Sequence, residues 1–336
     1  MTISSNPSVT VCIPTFNQAP FLIQAIESVL NQTYPDVKVF ISDDASTDNT
    51  QELMQQYSTQ SRIQYFRQPQ NLGISANNNW LLSQPVTEYI IRLDSDDLLL
   101  PEYTKTLIDL FSIYPDAGYA HAAVNEINSK NSLRRVRRLF GRDLYQDSIT
   151  ALKAGLTGYR VAANICMFKR SVLHEMNFYK RGMNFCEDWE LSVRIADAGY
   201  GNLYYPEPLA CYRVWSDQGN VRASRKLTEI CAAYELYEET YLPIFEKRKW
   251  NTNDIEDQKT TYAINHSICL TQKNFTEEDK KQIRLELKKF TKSKSLTIKL
   301  AFIDLHLAWI LHAVNTSKQI LKDGIKSAYR AVKGDY

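Results

Sequence analysis

Three groups of acidic residues stand where chemistry could be done. Asp94, Ser95, Asp96 and Asp97 follow the apolar run Glu88 to Leu93 without a break. Carboxylates at i and i+2 beyond a strand end can share one divalent cation or its water shell, and oxygen ligands favour Mg²⁺ or Mn²⁺. A solvated acidic turn has the same letters, so this pair alone leaves both readings open. Asp43 and Asp44 end a second apolar run, and Asn71-Leu72-Gly73 opens a helical stretch. Glu187 and Asp188 precede Trp189, Leu191, Val193 and Ile195. On the residues alone they are acids at a helix N-terminus, where they stabilise the macrodipole. No Ser–His–Asp or Cys–His signature for a covalent nucleophile accompanies them.

Such groups need a frame, and the first hundred residues alternate between two periods. Val9–Ile13, Val37–Ile41, Ile63–Phe66 and Glu88–Leu93 are strand-like, and helical patterns lie between them around Phe21–Leu30, Leu53-Met54 and Ile74–Leu82. Strand and helix in this rhythm predict an α/β fold with a mostly parallel sheet. Ligands of such sheets bind beyond the carboxyl ends of the strands. Those ends here carry Pro14-Thr15-Phe16-Asn17, Asp43-Asp44 and Asp94-Ser95-Asp96. A helix (Tyr103–Ile113), a strand (Gly118–Val124) and a mixed region to about Arg225 follow. The rest reads as helices over Leu227–Tyr241, Asp254–Leu270, Glu277–Phe290, Leu296–Val314 and Ser317–Val332.

Composition removes several alternatives. At 44% hydrophobic the 336 residues have material for a large core, which excludes a wholly disordered chain. Only Gly73 precedes Gly118, so no glycine-rich phosphate loop fits the first strand-to-helix turn, and P-loop or NAD-type chemistry is excluded there. A net charge of +2 argues against a general nucleic-acid binder. That sum hides an asymmetry: residues 1–129 carry 5 Lys/Arg and 14 Asp/Glu, residues 130–336 carry 35 and 24. Six cysteines without a CxxC pair or zinc spacing, and a polar N-terminus without a signal-peptide pattern, lead to the expectation of a cytoplasmic protein.

At this point a family likeness can be stated. PTFN after the first strand, ISDDASTD after the second, QNLGISANNN, LDSDD, NFCEDWELSVRIADAG and CYRVWSDQGN stand in the order seen in family 2 glycosyltransferases. The chain resembles that family, of bacterial surface-polysaccharide type, to about residue 220. The resemblance implies a GT-A fold, Rossmann-like, with a helical C-terminal extension: a glycosyltransferase domain over 1–225 (nucleotide-sugar-binding half 1–100, acceptor-binding half 101–225) and an α-helical region over 226–336. It also implies roles. Pro14, Thr15 and Asn17 line the nucleotide pocket, Asp44 accepts a hydrogen bond from the base, and Asn71 and Gly73 border the same pocket. Asp94 sits near the ribose or metal, and Asp96 is the ligand of a divalent cation, Mn²⁺ or Mg²⁺. Asp188, beside Glu187, is the general base of an inverting transfer from a nucleotide-sugar donor, expected to be UDP-linked, to a hydroxyl of a glycan or lipid-linked acceptor.

The chemistry suits these residue types. Loss of a nucleoside diphosphate leaves negative charge that a cation stabilises as it develops, and an acceptor hydroxyl needs a carboxylate to take its proton. Two positions depart from the family pattern. Asn77 stands where Arg is common, and Val214-Trp215 follows Tyr212-Arg213 where a metal-binding His is common. Arg213 is then a candidate source of compensating charge in the donor site. The rival readings are a nucleotidyltransferase, against which PTFNQAP offers neither glycine nor cation, and a nucleotide-sugar-binding homologue without turnover.

Two basic segments lie outside these motifs. Lys130 to Arg142 holds six Lys/Arg and no acid, a solvated hairpin or a contact for an anionic acceptor. Lys318, Lys322, Lys326 and Arg330 form a stripe at i+4 spacing beside an apolar one. This predicts that residues 296–333 lie on an anionic membrane surface rather than cross it, placing the protein peripherally on the inner face of the cell membrane. No nucleic-acid motif is present.

Overall fold

The computed structural model describes residues 6–183, 185–215, 225–305 and 307. Its elements run β1 (Val9–Thr15), α1 (Ala19–Leu30), β2 (Lys38–Asp43), α2 (Thr50–Met54), β3 (Ile63–Arg67), α3 (Ile74–Ser83), β4 (Tyr89–Arg92) and β5 (Leu98–Leu99). Then come α4 (Tyr103–Ile113), β6 (Ala117–Ile127), β7 (Leu133–Arg137), β8 (Tyr145–Gln146), α5 (Ser148–Gly155), β9 (Cys166–Lys169), α6 (Arg170–Glu175), α7 (Glu187–Asp197) and β10 (Gly201–Arg213). Helices α8 (Lys226–Glu235), α9 (Leu242–Lys247), α10 (Asn253–His266), α11 (Glu277–Phe290) and α12 (Lys294–Asp304) complete the chain.

One twisted sheet carries the order β3-β2-β1-β4-β9-β6-β10-β5, with β7 on β6 and β8 on β10. Strands β3, β2, β1 and β4 are parallel, as the alternating pattern requires, and β6 and β10 form a second parallel pair. Between the two sets runs β9, antiparallel to both neighbours. The fold is therefore the expected mixed α/β, mostly parallel sheet with a helical C-terminal region.

Period-two alternation explains which helices cover which face. Val9, Val11 and Ile13 of β1 point to the side where α1 and α4 bury Leu22, Ile26, Val29, Tyr103 and Leu107. Cys12 and Ile90 point to the other side, where α3, α6 and α7 bury Leu81, Leu82, Leu173, Leu191 and Ile195. Each such aliphatic side chain contributes roughly 1.5–3 kcal/mol on leaving water. Both parallel sets are thus covered on both faces, and polar groups at their carboxyl ends are what the core leaves open.

The described residues divide into two compact units, the first taking in those up to Trp215 together with Glu239–Ile244. All acidic groups named above belong to the first unit. In the second, Tyr234, Tyr237, Tyr262 and Phe290 pack ring against ring. A capping box between Thr276 and Asp279 starts α11. Lys259 is buried between Glu238 and Glu256. Helix α12 buries Leu296, Leu300 and Ile303 within this unit, and its Lys299 reaches the Ile264 carbonyl. Helix Leu296–Val314 of the sequence reading therefore begins two residues earlier and ends at Asp304. Most of its remainder, and the whole of Ser317–Val332, lie outside the described residues, as do Lys318, Lys322, Lys326 and Arg330. No helix among the described residues is long and apolar enough to cross a membrane.

Candidate active site

The ends of β1, β2 and β4 lie side by side because these strands are neighbours in register. At the end of β1, Asn17 takes a left-handed φ of 55°, and its side-chain oxygen accepts from the Thr47 and Asp48 amides. Its own amide donates to Ser46 Oγ, so Asn17 clamps the turn after β2. Pro14 is half-buried within β1, and the Thr15 hydroxyl is buried without a protein partner. The Thr15 carbonyl accepts from the Asp44 amide at 2.9 Å.

Asp44 is brought together with Asn71 and Gly73. Its two carboxylate oxygens accept from the Leu72 and Gly73 amides at 2.7 and 3.0 Å, and Asn71 Nδ2 donates to the Asp44 carbonyl. Gly73 sits at φ +83°, the conformation that turns its amide onto Asp44 as α3 begins. Neighbouring Asp43 has a different place. It is fully buried, accepting from Tyr65 Oη at 2.6 Å, Arg67 Nη1 at 3.1 Å and the Ser46 amide.

The end of β4 is organised by a residue that the sequence reading did not single out. Arg92 is 5% exposed. Its Nη1 donates to both oxygens of Asp188, at 2.9 and 3.0 Å, and its Nη2 to Asp94 Oδ1 at 3.0 Å. One guanidinium thus ties the acids after β4 to those that begin α7. Burial alone would lower the Arg92 pKa, but Asp188 and Asp94 outweigh it and hold the group charged well above its ordinary value. Asp94 and Glu187 are both raised, first by burial and also by neighbouring carboxylates. The signal for Arg92 was a lone cation inside the strand Tyr89-Ile90-Ile91-Arg92, a costly placement unless it is paired.

Helix α7 is itself anchored. Trp189 Nε1 donates to the Gly155 carbonyl, and Arg194 pairs with Glu190 while reaching the carbonyls of Met176 and Phe178. Three acids, Glu187, Asp188 and Glu190, fill its first turn.

The turn from Asp94 to Asp97 joins β4 to β5, and β5 pairs with β10, so the end of β10 returns beside it. The Arg213 amide donates to buried Asp97 and Arg213 Nε to the Asp96 carbonyl at 2.7 Å. The remaining Arg213 nitrogens serve Asn128, Asn131 and Gln24. Arg213 is 2% exposed, so its charge is placed to brace the acidic turn rather than to face a ligand. Trp215 Nε1 donates to Asp96 Oδ2 at 2.6 Å. Asn77 is likewise turned inward, bonded to Ser42 and Gln68.

A divalent cation can be tested against this donor set. Asp94 Oδ2 and Asp96 Oδ1 accept no hydrogen bond among the described residues. No group of three or more His, Cys, Asp or Glu able to hold a metal occurs among them. Two hard oxygen donors fit a Mg²⁺-like ion that draws its other ligands from a diphosphate and water. His121 does not belong to the site: it is fully buried on β6 among Tyr119 and Tyr204. The basic segment forms the β6–β7 hairpin, where Arg135 pairs with Glu126 and Arg138 with Glu207.

An α/β sheet of this order, with polar groups gathered at the ends of β1, β2 and β4, defines a GT-A fold. The chain is similar to S. aureus TarS in complex with UDP-GlcNAc, at a TM-score of 0.66 and 14% identity over 84% of this chain and 80% of that one. It is also similar to the mannosyltransferase PcManGT from Pyrobaculum calidifontis in complex with GDP-Man and Mn²⁺, at 0.58 and 16% identity over 99% and 89%. At such identities the likeness is one of fold.

Sequence narrows the class. Residues 10–176 match Glycosyl transferase family 2, and the chain carries a domain of that family. The Campylobacter jejuni GalNAc(5)-diNAcBac-PP-undecaprenol beta-1,3-glucosyltransferase is 32% identical over 174 residues, 51% of this chain and 55% of that protein. Escherichia coli chondroitin synthase is 36% identical over 199 residues, 59% of this chain and 28% of that protein. The chain spans about half the length of the first relative and less of the second.

Proposed function

We propose that this chain is an inverting glycosyltransferase that moves a sugar from a nucleotide-sugar donor to a hydroxyl of a glycan or lipid-linked acceptor. The observation that carries the reading is the bridge through Arg92. It holds Asp94, where diphosphate chemistry is expected, and Asp188, where a proton acceptor is expected, on one buried cation. A single displacement with inversion needs these two functions and no covalent nucleophile.

In this reading Asp188 takes the acceptor hydroxyl's proton as the oxygen attacks the anomeric carbon. Arg92 fixes both carboxylates, and Glu187 adds a raised carboxyl beside them. Asp96, with Asp94, would hold a divalent cation, which supplies charge stabilisation for the departing diphosphate. Asp44, Asn71, Gly73, Thr15, Pro14 and Asn17 form the nucleotide end, and Arg213 acts on it only through the acidic turn. A UDP-linked donor is supported by the UDP-GlcNAc bound in TarS. A lipid-linked acceptor is supported by the undecaprenol diphosphate in the Campylobacter relative's name.

The division at about residue 225, a cytoplasmic setting and peripheral membrane contact through 296–333 belong to the same proposal. The apolar positions of α12 are occupied within its own unit, so that contact rests on the sequence pattern beyond Leu305. Incubating the protein with Mn²⁺ and a panel of nucleotide sugars, then measuring released nucleoside diphosphate with and without glycan or polyprenyl-diphosphate acceptors, tests the reading. Acceptor-dependent UDP release from one donor is expected. Pyrophosphate release from a sugar phosphate and a nucleoside triphosphate, or binding without turnover, would replace it with a rival.

A further inference from the structure

Asp96 is prepared for a cation on one side only. Its Oδ2 accepts the indole N–H of Trp215 at 2.6 Å, while no hydrogen bond among the described residues falls on Oδ1. An indole N–H donates and cannot accept or ligate. It occupies a lone pair that a metal would use and points the positive end of its dipole at the carboxylate. We propose that Trp215 is a removable cap on Asp96, displaced when a divalent cation takes both oxygens of the Asp96 carboxylate, which holds the cation affinity of the nucleotide-free protein low. The inference rests on the reading of Asp96 as a cation ligand.

Two observations favour a cap over a brace. First, the acidic turn is already fixed without the indole. Arg213 Nε holds the Asp96 carbonyl, the Arg213 amide holds Asp97, and the Asp97 amide donates to the Asp94 carbonyl. The Trp215 bond is therefore not needed to hold the backbone of the turn, yet it withdraws one oxygen of the Asp96 carboxylate.

Second, Trp215 is seated as a side chain that can leave. It is 40% exposed. Its ring meets Phe21 edge to face at 4.9 Å, and Phe21 is itself pinned beneath the Arg213 guanidinium at 4.7 Å. A hydrogen bond to a carboxylate outweighs one between neutral groups, so release of this one is a sizeable fraction of a weak cation's binding energy.

The test titrates Mn²⁺ into the nucleotide-free protein, reading free Mn²⁺ by electron paramagnetic resonance. Trp215→Phe keeps a ring on Phe21 and removes only the donor; it is expected to bind Mn²⁺ about tenfold more tightly than the parent. Equal or weaker binding would overturn the cap, because the indole would then steady Asp96 for the metal. Trp215→His, which removes the indole and offers a ligand nitrogen, is expected to bind at least as tightly as Trp215→Phe, and weaker binding than the parent would count against the proposal. Mg²⁺ is expected to change the indole emission of the parent but not of Trp215→Phe, and an unchanged parent spectrum would show that the cap stays in place. Asp96→Asn separates the premise: it is expected to abolish Mn²⁺ binding, and undiminished binding would overturn the metal reading itself, whatever Trp215 does.

Discussion

Two strands of one sheet end in acidic runs, and their surroundings give them different work. At the end of β2, Asp43 is buried and spent on Tyr65, Arg67 and the Ser46 amide, while Asp44 is spent on two amides of the loop that opens α3. Donors from nearby loops and the adjacent strand satisfy both acids, and the charges are compensated locally. At the end of β4, Asp94 shares the buried Arg92 with Asp188, which lies 96 positions beyond that arginine, and Asp96 and Asp97 are gripped by the end of β10. Here carboxylates crowd one another, and two oxygens stay open. The same residue type is thus satisfied locally where amides and near neighbours meet it, and left under-compensated where several carboxylates share one cation.

The largest effect is expected from removing that cation. Arg92→Ala leaves Asp188 and Asp94 facing each other across a buried gap, and loss of one partner of such a pair costs about 3–5 kcal/mol. Denaturant unfolding should show that loss, with turnover gone under conditions where the variant is still folded. An Arg92→Ala enzyme of parental stability would erase the contrast between the two strand ends.

At β2 the two adjacent acids should separate cleanly. Asp43→Asn weakens charge-assisted bonds to Tyr65 and Arg67 and is expected to cost about 1.5–3 kcal/mol, with UDP affinity within about twofold of the parent by calorimetry. Asp44→Ala should instead weaken UDP binding by about tenfold, as its loop is released. If both variants changed stability alone, the β2 end would be scaffold and not pocket.

His121 offers a smaller, pH-dependent check that acid sensitivity is not assigned wholly to the two acidic ends. Burial, aided by Arg142, lowers its pKa well below 6.5. The unfolded chain therefore binds a proton that the folded chain does not. Stability from this group is complete above the unfolded value and falls as pH drops below it, by up to about 1.4 kcal/mol per pH unit. His121→Phe, surrounded by Tyr119 and Tyr204, should flatten melting temperature between pH 6.5 and pH 5. An unchanged slope would assign the acid limb elsewhere.

Legibility follows the range of the interactions. Helices α4 and α11 fall on Tyr103–Ile113 and Glu277–Phe290 as read from sequence, because apolar periodicity marks both and a capping box starts α11. The parallel strands were legible from their β-branched runs, and their acidic ends from the rule that such sheets bind ligands there. Strand β9 was not: Cys166–Lys169 is a short apolar run whose place between β4 and β6 depends on pairing with residues far along the chain. The hairpin strand β7 was only one of two readings of a basic segment, and Arg135 settles on Glu126 once β6 is beside it.

The site divides in the same way. Types and spacing expose Asp94 and Asp96 as candidates and mark Asp44 at a second strand end, whereas Asp188 becomes a candidate only through the family resemblance. They do not expose that Arg92 joins two of them, that Arg213 is consumed in support, or that Trp215 reaches Asp96 across 119 positions. Those facts depend on where β10 and α7 return, and one-dimensional periodicity carries no such coordinate.

The most direct measurement compares UDP affinity with turnover in Asp188→Asn, which keeps an oxygen for Arg92 but cannot take a proton. The expected result is a UDP dissociation constant within about twofold of the parent, with turnover reduced by at least about 10²-fold. Parental turnover in Asp188→Asn, with Mn²⁺ and the working donor present, would contradict the assignment of Asp188 as the base and dissolve the distinction drawn between the two acidic strand ends.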